Sequence, residues 1–321
     1  MNAAGRLALY GAGLAIAFTG ALGISAVAVP DSVVADWKKD RAEESHGGHG
    51  DTADKKPSMP MGTPAGLSVS AGGYALTSVR TPQEAGHKGE LSFQIQNKAG
   101  APLLGYAIAH EKRLHLIVVR SDGTRFRHVH PTLDQATGTW SIPWQWDAAG
   151  TYRIYADFTP EGGSGGLTLT STVEVGGRFT PDPATKVRAT DEVDGFTASV
   201  DGELVAGRSS ELTVKITRDG KPVTALQPYL GAYGHLVALR AGDLAYLHVH
   251  AQGEEPSAGE TTGPEIAFGA ETPSAGRYLL YLDFKVDGKV HTAGFVLDAT
   301  RGDGDGAHTD TGTHDTGSHG H

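Results

Sequence analysis

The sequence predicts an all-β chain: two tandem antiparallel β-sandwiches behind one N-terminal transmembrane helix. Three observations predict it. Short alternating segments separated by turn residues fill positions 66–299. Their pattern occurs twice, with Glu90-Leu91 answered by Glu211-Leu212, and Gly150–Phe158 (GTYRIYADF) answered by Gly276–Phe284 (GRYLLYLDF). Ahead of both lies an uncharged run, Leu7–Val29, of 23 residues, long enough to span a bilayer with some tilt.

Residues 1–30 hold that run, with Arg6 before it favouring a cytoplasmic N-terminus. It reads as an uncleaved anchor or as a signal peptide cut after Ala28, since Ala26-Val27-Ala28 has the small-x-small form. The expected location is the cell membrane in a single pass with an extracytoplasmic C-terminal region, or secretion if the signal is cleaved. Residues 31–65 are polar and read as a disordered stalk containing His46, His49, Met59 and Met61. Residues 66–177 form the first module, with strands such as ELSFQIQ, LHLIVV and TYRIYADF between turns such as NKAG and SDG. Strands of this length with frequent turns suggest sandwiches of immunoglobulin size. A Pro/Gly-bearing linker, 178–186, leads to the second module, 187–299, and residues 300–321 form a low-complexity His/Asp/Gly tail. Tyr152 and Tyr278, in the repeated G-x-Y, match the tyrosine corner of sandwich folds and are given a structural role.

Bulk properties narrow the function. The chain has 321 residues, no cysteine and a formal net charge of −10. The acidic balance argues against a nucleic-acid surface, and disulfides, thiolate metal sites and cysteine chemistry are excluded. No G-x-S-x-G elbow, H-E-x-x-H helix, P-loop or dinucleotide fingerprint is present, so no enzyme is expected.

The main clue is a repeated H-x12-H-x-H spacing: His115, His128, His130, and 120 residues later His235, His248, His250. A two-residue type I′ turn at Asp122-Gly123 would oppose His115 to His130 and Ile117 to His128. A turn at Gly242-Asp243 would oppose His235 to His250 and Val237 to His248. Side chains alternate faces with period two, so each copy is expected to gather its three imidazoles on one face as a metal site. Against this stands the reading of each histidine as a hydrogen-bonded core residue. Asp157 and Asp283, in the equivalent Y-x-D-F strands, are candidate ligands or orienting groups. His110, matched by Leu230, is a weaker candidate. Three imidazoles suit copper(II), zinc or nickel, and the thioethers of Met59 and Met61 favour copper(I). The tail histidines His308, His314, His319 and His321 form a loose collector.

The segments His115–Val119, Phe126–Pro131 and Gly150–Phe158 resemble a group of exported bacterial β-sandwich proteins associated with heavy-metal, especially copper, handling; the glycine-rich acidic style looks actinobacterial. The second copy departs from that pattern at Tyr246 and Ala251. The resemblance supports a metal role; together with the histidine pattern, the thioethers and the N-terminal run it leads to the expectation of an extracytoplasmic metal-binding protein, copper favoured and zinc possible, acting as chaperone, buffer or sensor. Its expected partners are the membrane, a metal ion and other envelope metal-handling proteins. The alternative is a non-catalytic structural or interaction protein of the cell envelope with immunoglobulin-like modules.

Overall fold

The computed structural model describes residues 65–302, apart from 164, 248 and 258. The expected N-terminal span, the stalk with His46, His49, Met59 and Met61, the C-terminal tail and His248 lie outside those residues. Among the described residues no helix is long and apolar enough to cross a membrane.

The first sandwich comprises β1 (Ser70–Ala71), β2 (Tyr74–Arg80), β3 (Lys88–Asn97), β4 (Tyr106–Ala107), β5 (His115–Arg120), β6 (Arg127–Val129), β7 (Thr132–Asp134), β8 (Thr139–Gln145), β9 (Gly150–Pro160) and β10 (Leu167–Val175). One sheet runs β1-β2-β3-β8-β7 and the other β10-β9-β5-β6. The second comprises β11 (Thr190–Val193), β12 (Phe196–Asp201), β13 (Leu204–Val205), β14 (Ser209–Arg218), β15 (Lys221–Pro222), β16 (Gly234–Arg240), β17 (Tyr246–Leu247), β18 (Val249–Ala251), β19 (Glu265–Glu271), β20 (Gly276–Val286) and β21 (Lys289–Thr300). Its sheets run β11-β12-β14-β19-β18 and β13-β21-β20-β16-β17.

Each sandwich has its own core. In β14 the residues Leu212, Val214 and Ile216 point inward while Glu211 and Lys215 face solvent, the alternation of a sheet wet on one side. Leu91, Phe93, Leu116, Val118, Trp140 and Ile154 fill the first core, and Leu212, Leu236, Phe268, Leu280 and Phe295 the second. The tyrosine corners close as expected: the Tyr152 hydroxyl donates to the Ala148 carbonyl at 2.8 Å and that of Tyr278 to Ser274 at 2.8 Å. These features make the chain two tandem immunoglobulin-like sandwiches.

Strand β5 departs from the alternation, with all six residues buried. Leu116 and Val118 enter the first core, whereas Ile117 and Val119 enter a third cluster that joins the modules. That cluster also holds Tyr155, Val237, Leu239, Leu244, Tyr246, Leu279, Tyr281 and Val296. The β5/β9 face of one sandwich therefore packs on the β16/β20 face of the other. Each fully buried aliphatic side chain of this kind contributes about 1.5–3 kcal/mol. The packing is reciprocal. The Tyr155 hydroxyl donates to Leu244 O at 2.6 Å, and its equivalent Tyr281 donates to Gly123 O at 2.6 Å.

Candidate metal site between the modules

The histidines sit in the same phase as that interface. His115 precedes Ile117 and Val119 on one face of β5, and His235 precedes Val237 and Leu239 on one face of β16. Docking stacks the His115 and His235 rings, 5.6 Å apart and 3° from parallel.

In the first hairpin Ile117 opposes His128 and Leu116 opposes Val129, the predicted register. The turn producing it differs from the expected type I′. Gly123 N–H donates to Arg120 O at 2.8 Å and Arg120 N–H to Thr124 O at 2.9 Å, so the loop is the three residues Ser121, Asp122 and Gly123. Asp122 has no positive φ and instead caps the turn, accepting from Thr124 N at 3.1 Å and Thr124 Oγ1 at 2.8 Å. Arg125, at φ 58°, then inserts one residue as a bulge. The two departures cancel.

Within this hairpin His115 Nδ1 approaches His128 Nε2 at 3.0 Å and His130 Nε2 at 3.2 Å. The far side of each ring is held. His115 Nε2 donates to the Ala109 carbonyl at 3.1 Å, and His128 Nδ1 donates to Asp283 Oδ2 at 2.8 Å. A carbonyl and a carboxylate only accept, so the N–H of each neutral ring points outward. Nδ1 of His115 and Nε2 of His128 then face one another, as two metal-ligating nitrogens in the neutral rings or as a hydrogen bond when His128 Nε2 carries a proton. Asp283 belongs to the second module, where its other oxygen accepts from Thr292 Oγ1 at 2.6 Å. Ligand-group nitrogens of His115, His128 and His235 all lie within 4.8 Å of one another.

The expectation of two separate three-histidine hairpins is therefore corrected. The second hairpin keeps its register near the turn, with Ala238 opposite Leu247 and Leu239 opposite Tyr246, across a four-residue loop closed by Leu244 N–H to Arg240 O at 2.9 Å. Beyond Leu247 the chain crosses to the other sheet, where His250 opposes Gly269 and is exposed. The first copy makes the same crossing later, at β7. Pro131 lacks the N–H that a ladder needs, whereas its counterpart Ala251 pairs with Phe268. His250 is thus not opposed to His235. Docking gathers His115, His128 and His130 from one module with His235 and Asp283 from the other.

Asp157 occupies the position equivalent to Asp283. It accepts from Thr168 Oγ1 at 2.8 Å, the bond equivalent to Thr292–Asp283. His110, rated weak on sequence grounds, lies beside the cluster, its ring 6.0 Å from His115 and 5.6 Å from His235. The Ala109–Lys112 and Tyr229–Ala232 turns are equivalent, and each carries a left-handed second residue: His110 at φ 48° and buried Leu230 at φ 57°.

Burial disfavours the charged form of His115, His130 and His235. It lowers His115 to about 4, against the opposing Ala109 bond and with help from electrostatic coupling to the neighbouring His128, His110 and Lys112. Burial, then His128, His115 and Lys112, lowers His130 to about 3. Burial, then the neighbouring histidines, holds His235 well below its ordinary value. Neutral imidazole is the form that ligates metal.

Among solved structures the chain is similar to domains 4 and 5 of the S-layer protein SbsC, at 10% identity over 73% of this chain and 98% of that chain, with a TM-score of 0.22. It is similar to the Yersinia pseudotuberculosis adhesin InvE at 12% identity over 72% and 60% (TM-score 0.21), and to the D0-D1 domain of Intimin at 14% over 68% and 92% (TM-score 0.21). At these TM-scores the likenesses add nothing to the architecture read from the sheets. No curated protein matches the chain. One family model matches it twice, over residues 69–176 and 191–301, once per sandwich and together over more than half of its length, so the chain belongs to the family described as Domain of unknown function (DUF8832).

Proposed function

We propose that this chain is a non-catalytic metal-binding protein in which the two docked sandwiches hold one ion between them. His115 Nδ1, His128 Nε2 and a nitrogen of His235 are the proposed ligands, with His130 beside them. The observation that carries this reading is the convergence of His115 Nδ1 and His128 Nε2, 3.0 Å apart with both outer nitrogens on acceptors, and of a His235 nitrogen within 4.8 Å of them. A tetrahedral ion with bonds of about 2.0–2.1 Å sets its ligand nitrogens about 3.3 Å apart. Outer N–H groups held by a carboxylate and a carbonyl are the usual supports of ligating imidazoles. Copper is favoured over zinc by Met59 and Met61. The run Leu7–Val29 would place the modules outside the cytoplasm, as a tethered chaperone, buffer or sensor.

The test compares the full chain with a variant carrying His115→Ala, His128→Ala and His130→Ala, each loaded with copper or zinc and dialysed against a weak chelator. The parent should retain one more ion per chain than the variant. Equal retention by a variant with unchanged circular dichroism would refute the site.

A second reading, a structural or interaction protein, is favoured by the reciprocal tyrosine bonds and the apolar cluster, which join the modules without an ion. In that case the histidine substitutions lower the melting temperature in chelator, and added metal does not raise that of the parent.

A further inference from the structure

A pocket of about 170 Å³ opens beside the cluster, lined by His110, Tyr233, His235, His250, Glu254 and Glu255 among others. Its origin is the asymmetry between the two copies. In the first module His130 stays with its hairpin and packs its ring 5.0 Å from that of His115. In the second, the early crossing of β18 to the other sheet places His250 opposite Gly269, and His235 and His250 both line the pocket. His235 lines the pocket and packs its ring 4.8 Å from His128 and 5.6 Å from both His110 and His115. It makes no hydrogen bond among the described residues, unlike His115 and His128. The rim carries exposed His110, His250, Glu254 and Glu255, imidazoles and carboxylates without a cationic side chain among the lining residues. One water needs about 10–15 Å³ of cavity space, so the pocket has room for a partly hydrated cation.

We infer that this pocket is the route by which the ion reaches the buried site, with His250 and His110 acting as transfer ligands. The inference rests on the metal-binding reading above. A bare cation crossing an apolar passage would lose its hydration without replacement; imidazoles at the rim and floor supply nitrogen ligands as water is shed. The two carboxylates raise the local cation concentration. Because transfer ligands act only in passage, their loss slows entry and exit alike and leaves the final occupancy unchanged.

Cobalt(II) is the probe, since its tetrahedral complexes absorb intensely in the visible and octahedral complexes on the tail histidines do so weakly. Stopped-flow mixing follows uptake by the full chain, and excess EDTA follows release. With His110→Ala and His250→Ala together, both rates should fall tenfold or more at unchanged final absorbance. Glu254→Gln with Glu255→Gln should slow uptake severalfold at low salt and not at high salt. Unchanged rates at unchanged absorbance overturn the route while leaving the site standing. A loss of final absorbance in the histidine variant makes these residues resident ligands and overturns the transfer role. Absence of tetrahedral bands in the parent overturns the metal-binding reading and this inference with it.

Discussion

His128 of the first sandwich donates from Nδ1 to Asp283 Oδ2 of the second at 2.8 Å, and their side chains are 0 % and 4 % exposed. The bond crosses the module interface and aims His128 Nε2 at His115. Replacing Asp283 with alanine removes the acceptor that fixes this tautomer and strands the Thr292 hydroxyl. A supporting partner of this kind is worth about 10–100-fold in metal affinity, and a hydrogen bond to a charged group about 1.5–3 kcal/mol of stability. Asp283→Ala should therefore weaken metal binding by one to two orders of magnitude in a chelator-competition titration. A fall in melting temperature at unchanged affinity would mean that Asp283 serves only the docking.

A site built from both modules fails when they separate, even with every histidine in place. Leu239 belongs to the interface cluster and not to the core of its own sandwich. Leu239→Asp buries an unpaired carboxylate there, which the chain relieves by undocking. The expected result is a larger radius of gyration by small-angle scattering, retained β-sheet circular dichroism, and loss of the ion proposed for the interface. If the undocked variant retains the ion, the ligands come from one hairpin alone.

Much of this was legible in the sequence. Alternation in segments such as ELTVKITR reported strands with one wet face, and the repeated G-x-Y located both tyrosine corners. The hairpin register matches the expected one because two departures offset each other, a three-residue loop and a one-residue bulge at Arg125; the turn itself was not legible, because Asp122 has a competing use as a cap. The docked interface does not follow from strand alternation, although HLIVV and HLVAL carry its signal. Unbroken apolar runs mark strands covered on both faces, and the second cover here is the other module. Which sheet His250 joins depends on where the chain crosses between sheets, a choice in which Pro131 and Ala251 differ and which spacing alone does not encode.

Acid should destabilise the metal-free protein through this cluster. His115, His130 and His235 have folded-state values of about 4, about 3 and well below 6.5, all lowered first by burial. In the unfolded chain they titrate near 6.5. Between those values the unfolded state binds more protons, so stability rises with pH. The contribution is complete above about pH 6.5 and is lost as pH falls toward 4 and then 3. In chelator, the melting temperature should decline across pH 6.5–4 more steeply than in a variant carrying His115→Ala, His130→Ala and His235→Ala. Parallel declines in the two proteins would assign the acid sensitivity to other groups.

The reciprocal tyrosines make a paired prediction. Tyr155 and Tyr281 occupy equivalent positions in β9 and β20, and each hydroxyl reaches a backbone carbonyl in the other module's hairpin loop, Leu244 O and Gly123 O, at 2.6 Å. Phenylalanine preserves the ring, and with it the stack of Tyr281 on Phe126 at 4.1 Å, while deleting one donor. A buried carbonyl left without a partner costs about 1–3 kcal/mol, and in chains of this size each kcal/mol moves the melting temperature by about 2–4 °C. Tyr155→Phe and Tyr281→Phe should therefore produce similar losses in calorimetry. Leu239→Asp, which has already separated the modules, should make either substitution nearly silent, because the lost bond exists only across the interface. If the tyrosine substitutions cost as much in the undocked protein as in the parent, these hydroxyls stabilise their own sandwich and the docking rests on apolar packing alone.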